Sequence, residues 1–172
     1  MELLWKQPSA RREEYELRAG DEVLATLRWP KSWGSLAEAE VAEGRWTFKR
    51  VGFWRTRGTL RVAGDEDDIG TFEARWTGNG TLTLASGESY GWESTNLWGT
   101  RYGWSDSRGT ELVRFGAKAS LLREEAAVEL SPRASALSDL PLLVLYGWYL
   151  LVMHNRDAAG ATAATAGGAS SS

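Results

Sequence analysis

The densest cluster of side chains that could bind a ligand is a basic segment between residues 45 and 61. It contains six cationic residues and no acidic one, although the whole chain carries a net charge of -3. Arginine supplies five of the six, and its planar guanidinium suits bidentate contacts with phosphate. The candidate ligand-binding residues are Arg45, Lys49, Arg50, Arg55, Arg57 and Arg61. This cluster favours an anionic membrane surface or a phosphorylated ligand as the partner.

The basic segment also allows two other interpretations. In a strand whose aromatic residues point inward, Arg45 and Lys49 point outward and could simply pair with acidic neighbours on a solvated barrel wall. Phe53 and Trp54, which interrupt the charges, could insert at a headgroup boundary or stack on a nucleic-acid base. Because the net charge is negative, the chain has no overall attraction to nucleic acid, and we do not predict nucleic acid as a partner.

Other residues that could do chemistry lack the spacing that a site needs. The acidic run at 65–68 does not fit a calcium loop, because the twelfth position from Asp65 is Trp76 instead of a glutamate. His154 is the only histidine, and capping the end of a helix explains it. The chain has no cysteine, so it has neither a thiolate nucleophile nor a disulfide. We predict no catalytic activity, no metal site and no cofactor.

Aromatic residues crowd the middle of the chain. The chain contains ten tryptophans, and each needs a large apolar space. One set could form an aromatic cage for a ligand or could pack against a helix, and packing is the interpretation we favour. This set is Tyr90, Trp92, Trp98, Tyr102 and Trp104.

The residues before position 138 predict a succession of short β-strands. Apolar and polar residues alternate with a period of two, as in the run from Val23 to Trp29, which indicates one buried face and one wet face. Turn signals rich in glycine and aspartate, such as Gly64-Asp65 and Gly78-Asn79-Gly80, separate the runs. Strands at this spacing are typical of an all-β domain. We count about twelve strands.

A single wholly apolar helix is predicted at 138–156. Ser138 or Asp139 can act as its N-cap, and Pro141 lies in its first turn. No charged residue occurs between Leu140 and Met153, so no face of the helix is suited to water. Fourteen residues rise roughly 21 Å, whereas a bilayer core of ~30 Å needs about 20 residues. The length favours burial in protein over a membrane anchor.

Strands and helix together predict a closed antiparallel barrel of about twelve strands around a central buried helix. An eight-stranded barrel is filled by its own side chains, so a helix about 10–12 Å across needs a wider barrel. Residues 1–156 would form this single domain, and residues 157–172 a disordered tail rich in Ala, Gly, Ser and Thr. An alternative is a calycin-like carrier, with an apolar ligand in the bore and the helix outside.

The arrangement resembles the Tubby C-terminal-like superfamily, which includes Tubby, the phospholipid scramblases and the LURP-one-related proteins. The resemblance rests on the strands, the terminal apolar helix and a hairpin of the type aromatic-x-D-x-x-G, here Trp104 to Gly109. It implies a twelve-stranded barrel threaded by the helix and a role in binding anionic phospholipid or tethering at membranes. The palmitoylated cysteines of the scramblases have no counterpart in this chain.

The function predicted from sequence is a non-catalytic binding or scaffold module. Its ligand would be anionic phospholipid or a phosphorylated molecule, recognised by the basic segment. The carrier described above and a protein-interaction module are the alternatives. The first fourteen residues have an acidic second position and only three consecutive apolar residues, unlike a signal peptide, so we expect a cytoplasmic protein that associates peripherally with a membrane.

Overall fold

Twelve β-strands precede one long helix. The computed structural model describes residues 2–9, 11–52, 57–75, 77–95, 101–118 and 125–167. The strands are β1 Leu3–Lys6, β2 Glu14–Ala19, β3 Glu22–Arg28, β4 Ala37–Val41, β5 Gly44–Val51, β6 Arg57–Val62, β7 Asp68–Ala74, β8 Gly80–Leu84, β9 Ser89–Ser94, β10 Arg101–Ser105, β11 Glu111–Lys118 and β12 Glu125–Leu130. A short 3-10 turn at Ala134–Ala136 leads to helix α1 at Leu140–Gly167.

The strands form a closed antiparallel barrel in which each strand pairs with its neighbours in the chain. Closure is completed by β1 and β12, with Leu3 opposite Val128. The period-two pattern explains the wall, because inward positions such as Phe48 and Leu60 are wholly buried while the alternate positions reach solvent. The predicted fold class is confirmed, and the architecture is compatible with a Tubby-like fold.

Helix α1 occupies the bore of the barrel. The side chains of Leu143, Leu145 and Tyr146, which point in different directions around the helix, are all 0% exposed. The helix contacts β3 and β4 on one side of the closed strand order and β10 and β11 on the other. The predicted central helix is therefore confirmed. The carrier alternative required an open bore with the helix outside, and the position of α1 does not fit it. Among the described helical residues, no stretch is both long and apolar enough to cross a bilayer.

The helix starts close to the predicted position but ends much later. It begins at Leu140, directly after the predicted cap Asp139, whose carboxylate accepts a hydrogen bond of 2.8 Å from the hydroxyl of Tyr90. It continues to Gly167, so the end predicted at Arg156 is wrong. Alanine, which is frequent after that point, has the highest helix propensity and needs no packed face to continue a helix. Residues 168–172 of the predicted tail lie outside the described residues.

The hairpin on which the family resemblance depends has a clear physical basis. One oxygen of Asp106 accepts hydrogen bonds of 2.9 Å from the main-chain N–H groups of Arg108 and Thr110. These bonds hold the pKa of the Asp106 carboxyl below its ordinary value. Gly109 adopts a φ of 78°, which disfavours residues that carry a Cβ. The aspartate and the glycine therefore both serve the turn between β10 and β11.

Successive connections alternate between the two open ends of the barrel. We call the end at which α1 begins the start mouth, and the end at which α1 leaves the bore the exit mouth. The connection that follows β2 and every second connection after it lie at the start mouth. The connection that follows β1 and the described parts of every second one after it lie at the exit mouth. There the hydroxyl of Tyr149 donates a hydrogen bond of 2.8 Å to the carbonyl of Ser35.

Candidate functional site

The structure separates the predicted basic residues into two groups. Four of them lie on the outer wall: Arg45 and Lys49 on β5, and Arg57 and Arg61 on β6. Their outward direction follows from the strand period, since the intervening Phe48 and Leu60 point into the core. The other two predicted residues are Arg50, which does not lie on the wall, and Arg55, which lies outside the described residues together with Phe53 and Trp54.

Acidic residues on neighbouring strands face three of the outer-wall cations. Arg61 forms an ion pair of 2.6 Å with Asp68 of β7.

The other two pairings are set by strand register. Arg57 lies opposite Glu73, and Arg45 lies opposite Glu40 on β4. Opposite charges placed across strands in this way stabilise the sheet and lower the positive potential of the surface. The outer wall is therefore less cationic than the basic segment alone indicates.

Arg50 points toward the bore and reaches helix α1 at the exit mouth. Its two terminal nitrogens donate hydrogen bonds of 2.5 Å and 3.0 Å to the two carboxylate oxygens of Asp157. The hydrogen bond to Asp157 raises the pKa of Arg50. A sequence signal existed for this direction, because Arg50 has the same parity as the inward-facing Phe48.

Arg156 makes a second set of contacts between the helix and the barrel at the exit mouth. Its guanidinium pairs with Glu13 and donates a hydrogen bond of 3.2 Å to the carbonyl of Gly34. It also lies 4.5 Å from the ring centre of Trp29, within the range of a cation–π contact. Partial burial lowers the pKa of Arg156. Because α1 continues to Gly167, His154 does not cap its end as predicted.

A cavity of about 270 Å³ opens at the exit mouth between α1 and the strands. Its walls include the aromatic rings of Phe72, Trp92, Tyr102, Tyr146 and Tyr149. Its polar lining comes from Arg50, Arg75, His154 and Asp157. The cavity thus joins an aromatic interior to a charged opening, as ligand pockets commonly do.

The hydroxyl of Tyr146 lies deep in this region. The side chain is 0% exposed, and its hydroxyl has no hydrogen-bond partner among the described residues. A Cβ added at Gly58, which lines the same cavity, would lie 1.9 Å from that oxygen. Burial raises the pKa of Tyr146 well above its ordinary value. A neutral buried donor therefore stands at the cavity wall.

Charge is segregated between the two mouths. The described connections at the start mouth hold eight acidic residues and two basic ones: Asp21, Glu43, Asp65, Glu66, Asp67, Glu88, Asp106 and Asp139 against Arg108 and Arg133. Those described at the exit mouth hold four basic residues and one acidic one: Arg11, Arg12, Lys31 and Arg75 against Glu13. Among the described connections, the exit mouth is therefore positive and the start mouth negative.

The exit mouth also carries an exposed tryptophan. Trp33, in the connection between β3 and β4, is 83% exposed, and the Nζ atom of Lys31 lies 5.2 Å from its ring centre. An indole ring has an apolar body and a polar N–H, which suits it to an interface between water and an apolar phase. Trp33 is not among the residues predicted from the sequence, although a tryptophan inside a turn rich in Pro, Ser and Gly was a detectable signal.

The other candidate groups predicted from the sequence form no ligand site among the described residues. Tyr90, Trp92, Tyr102 and Trp104 are at most 9% exposed and belong to the core, whereas Trp98 lies outside the described residues. His154 is exposed, with its ring centre 5.8 Å from that of Tyr102. In the described ranges, no group of three or more His, Cys, Asp or Glu side chains could hold a metal ion.

Comparisons with protein families, curated proteins and solved structures found no match to this chain.

Proposed function

We propose that this chain is a non-catalytic binding module that docks on an anionic membrane surface through its exit mouth. The observation that carries the proposal is the exposed Trp33, which lies with Lys31 at the positive end of a barrel whose other end is negative. A charge distribution of this kind orients the molecule in the field of an anionic surface before contact. Each basic residue near such a surface contributes about 1 kcal/mol of attraction.

Trp33 supplies the second half of the docking argument. Indole rings are enriched at membrane interfaces, where the apolar ring reaches the acyl boundary and the N–H stays in the headgroup layer. Lys31 is placed to contact headgroup phosphate beside that ring, and the exposed Arg11 and Arg12 extend the cationic area. The bonds from Arg50 to Asp157 and from Arg156 to Gly34 tie the helix to the barrel at this mouth.

Membership of the Tubby-like superfamily is part of the same proposal. Twelve antiparallel strands around a C-terminal apolar helix support it, and the resemblance implies phospholipid binding. Recognition through the predicted residues Arg45, Lys49, Arg50, Arg55, Arg57 and Arg61 remains the alternative docking face. The ion pair between Arg61 and Asp68 and the helix contact of Arg50 favour the exit mouth over that wall.

Vesicle co-sedimentation with charge-matched variants tests the proposal. One variant carries Arg12→Glu and Lys31→Glu at the exit mouth, and the other carries Arg45→Glu and Lys49→Glu on the outer wall. Both variants change the net charge equally, so a difference in their vesicle binding shows which surface contacts the membrane. We expect binding to vesicles of phosphatidylcholine mixed with phosphatidylserine, and loss of binding only in the exit-mouth variant. Trp33→Ser should weaken the binding that remains at high salt, because salt screens the charges and leaves the contact of the indole ring.

Two outcomes would contradict the proposal. Equal binding to pure phosphatidylcholine would remove the anionic requirement. Loss of binding only in the outer-wall variant would show that docking uses the basic segment predicted from sequence and not the exit mouth.

A further inference from the structure

The cavity at the exit mouth has a chemistry distinct from that of the exposed docking surface. It is a recess of about 270 Å³ with aromatic walls from Phe72, Trp92, Tyr146 and Tyr149. This volume lies just below the roughly 300–1,000 Å³ of pockets for drug-sized ligands, which indicates a compact ligand of one or two rings. Flat aromatic walls favour a flat ligand that can stack or make edge contacts with them.

The ionisable residues around the cavity leave one positive charge without a described partner. Arg50 and Asp157 neutralise each other through two hydrogen bonds. Arg75 also lines the cavity, and its guanidinium makes no ion pair within the described portion of the chain. His154 adds a second nitrogen-containing side chain at the opening. An anion with a single charge fits this arrangement better than a cation or a polyphosphate does.

Tyr146 provides an independent indication of a ligand. Its hydroxyl is buried, belongs to a residue that lines the cavity, and has no partner among the described residues. Buried polar groups in native proteins are nearly always hydrogen-bonded, so each exception requires an explanation. Because the oxygen is fully buried in this structure, a ligand polar atom would satisfy it by widening the inner end of the cavity on binding.

We propose that the exit-mouth cavity binds a small aromatic acid, with its rings against the aromatic walls and its acidic group at Arg75. A second polar atom of the ligand, or one acid oxygen, accepts the hydrogen bond of the Tyr146 hydroxyl. The proposal does not depend on membrane docking, because it concerns a molecule that enters the recess from solution. Lipid-free binding measurements therefore separate the two.

Calorimetric titration with 2-naphthoate and its uncharged counterpart 2-naphthalenemethanol tests the proposal. We expect saturable binding of one 2-naphthoate per chain and about tenfold weaker binding of the alcohol, because the alcohol has no charge-assisted bond to Arg75. Arg75→Gln should reduce affinity for 2-naphthoate about tenfold and leave affinity for the alcohol unchanged. Arg57→Gln, on the outer wall, is the matched control and should bind like the wild-type chain.

Tyr146→Phe distinguishes a binding role from a structural one. Removing a buried hydroxyl without a partner should keep or raise the melting temperature of the unliganded protein. The same variant should lose about fivefold to tenfold in affinity for 2-naphthoate if the hydroxyl bonds the ligand. Absence of saturable binding to the folded wild-type chain, equal affinity for the alcohol, or wild-type affinity in both Arg75→Gln and Tyr146→Phe would overturn the proposal.

Discussion

The indole Nε1 of Trp104 donates a hydrogen bond of 2.8 Å to the main-chain carbonyl of Leu143. Both residues are 0% exposed, so this bond joins the barrel wall to the helix inside the core. Apolar packing is non-directional and tolerates small rotations of the helix within the barrel. A directional bond to the helix backbone fixes the rotation and the height of α1 relative to β10.

Replacing Trp104 with Phe should therefore lower the free energy of unfolding by about 2–3 kcal/mol, from the lost bond and the cavity left by the smaller ring. Chemical denaturation followed by far-UV circular dichroism measures the change. Trp33→Phe, at a position 83% exposed, is the control and should stay within about 0.5 kcal/mol of wild type. An equal loss in both variants would show that the buried bond contributes nothing specific.

Two glycines of α1 should respond in opposite ways to substitution by alanine. A Cβ at Gly147 would lie 2.5 Å from the ring of Phe115 and 2.8 Å from Nε1 of Trp104, whereas a Cβ at Gly160 has no atom within 4 Å. Gly147→Ala should destabilise the protein by about 1–3 kcal/mol through overpacking. Gly160→Ala should be neutral or stabilise it by up to about 1 kcal/mol through helix propensity. Thermal melts of the two variants compare them directly, and a stabilised Gly147→Ala would contradict the close approach.

Gly58 and Tyr146 should be energetically coupled. Gly58→Ala alone places a methyl group 1.9 Å from the Tyr146 hydroxyl, which is an impossible contact without rearrangement. Tyr146→Phe removes that oxygen, so the double variant should recover part of the loss. We expect a coupling free energy of about 1–3 kcal/mol in a double-mutant cycle from urea unfolding. Additive effects would show that the two residues do not meet.

Alkaline pH should destabilise the barrel through its buried tyrosines. Burial raises the pKa of Tyr149, whose hydroxyl bonds the Ser35 carbonyl, and also that of Tyr146. In the unfolded chain these phenols ionise near pH 10, so above that pH the folded state holds more protons than the unfolded state. The contribution is therefore complete below about pH 10 and is lost as the pH rises further.

Unfolding curves between pH 8 and pH 11 measure this dependence, with Tyr149→Phe as the comparison. The variant should show a shallower decline above about pH 10 and the same slope as wild type below it. A wild-type stability that does not fall above pH 10 would be inconsistent with buried, neutral phenols.

The wall and the helix were predictable because their signals are periodic. Alternation in runs such as β3 predicts a half-buried strand, and the absence of any charge between Leu140 and Met153 predicts burial on all sides. The strand period also predicts that Arg50 points inward, as Phe48 does. Counting the charges along the segment did not reveal this direction. Charge density identifies a basic segment, whereas strand period decides which of its members share a face.

The remaining details depend on contacts between distant parts of the chain. Nothing near Gly147 in the sequence indicates that Phe115 lies against it, and nothing near Tyr146 indicates Gly58. The exit mouth gathers connections that are far apart in sequence, so its positive charge appears only after the strands alternate direction. The end of the helix was predicted too early because the residues after Arg156 cannot form a packed face. A helix can nevertheless continue through residues of high helix propensity without such a face.

The helix that fills the bore is synthesised after all twelve strands of the barrel. A nascent chain that stops before residue 140 holds all twelve strand sequences but none of the central side chains around which they close. Such a chain exposes the apolar inner face of a barrel that lacks its helix, and this surface is prone to aggregation. The barrel can therefore close around its central helix only after the helix has been synthesised.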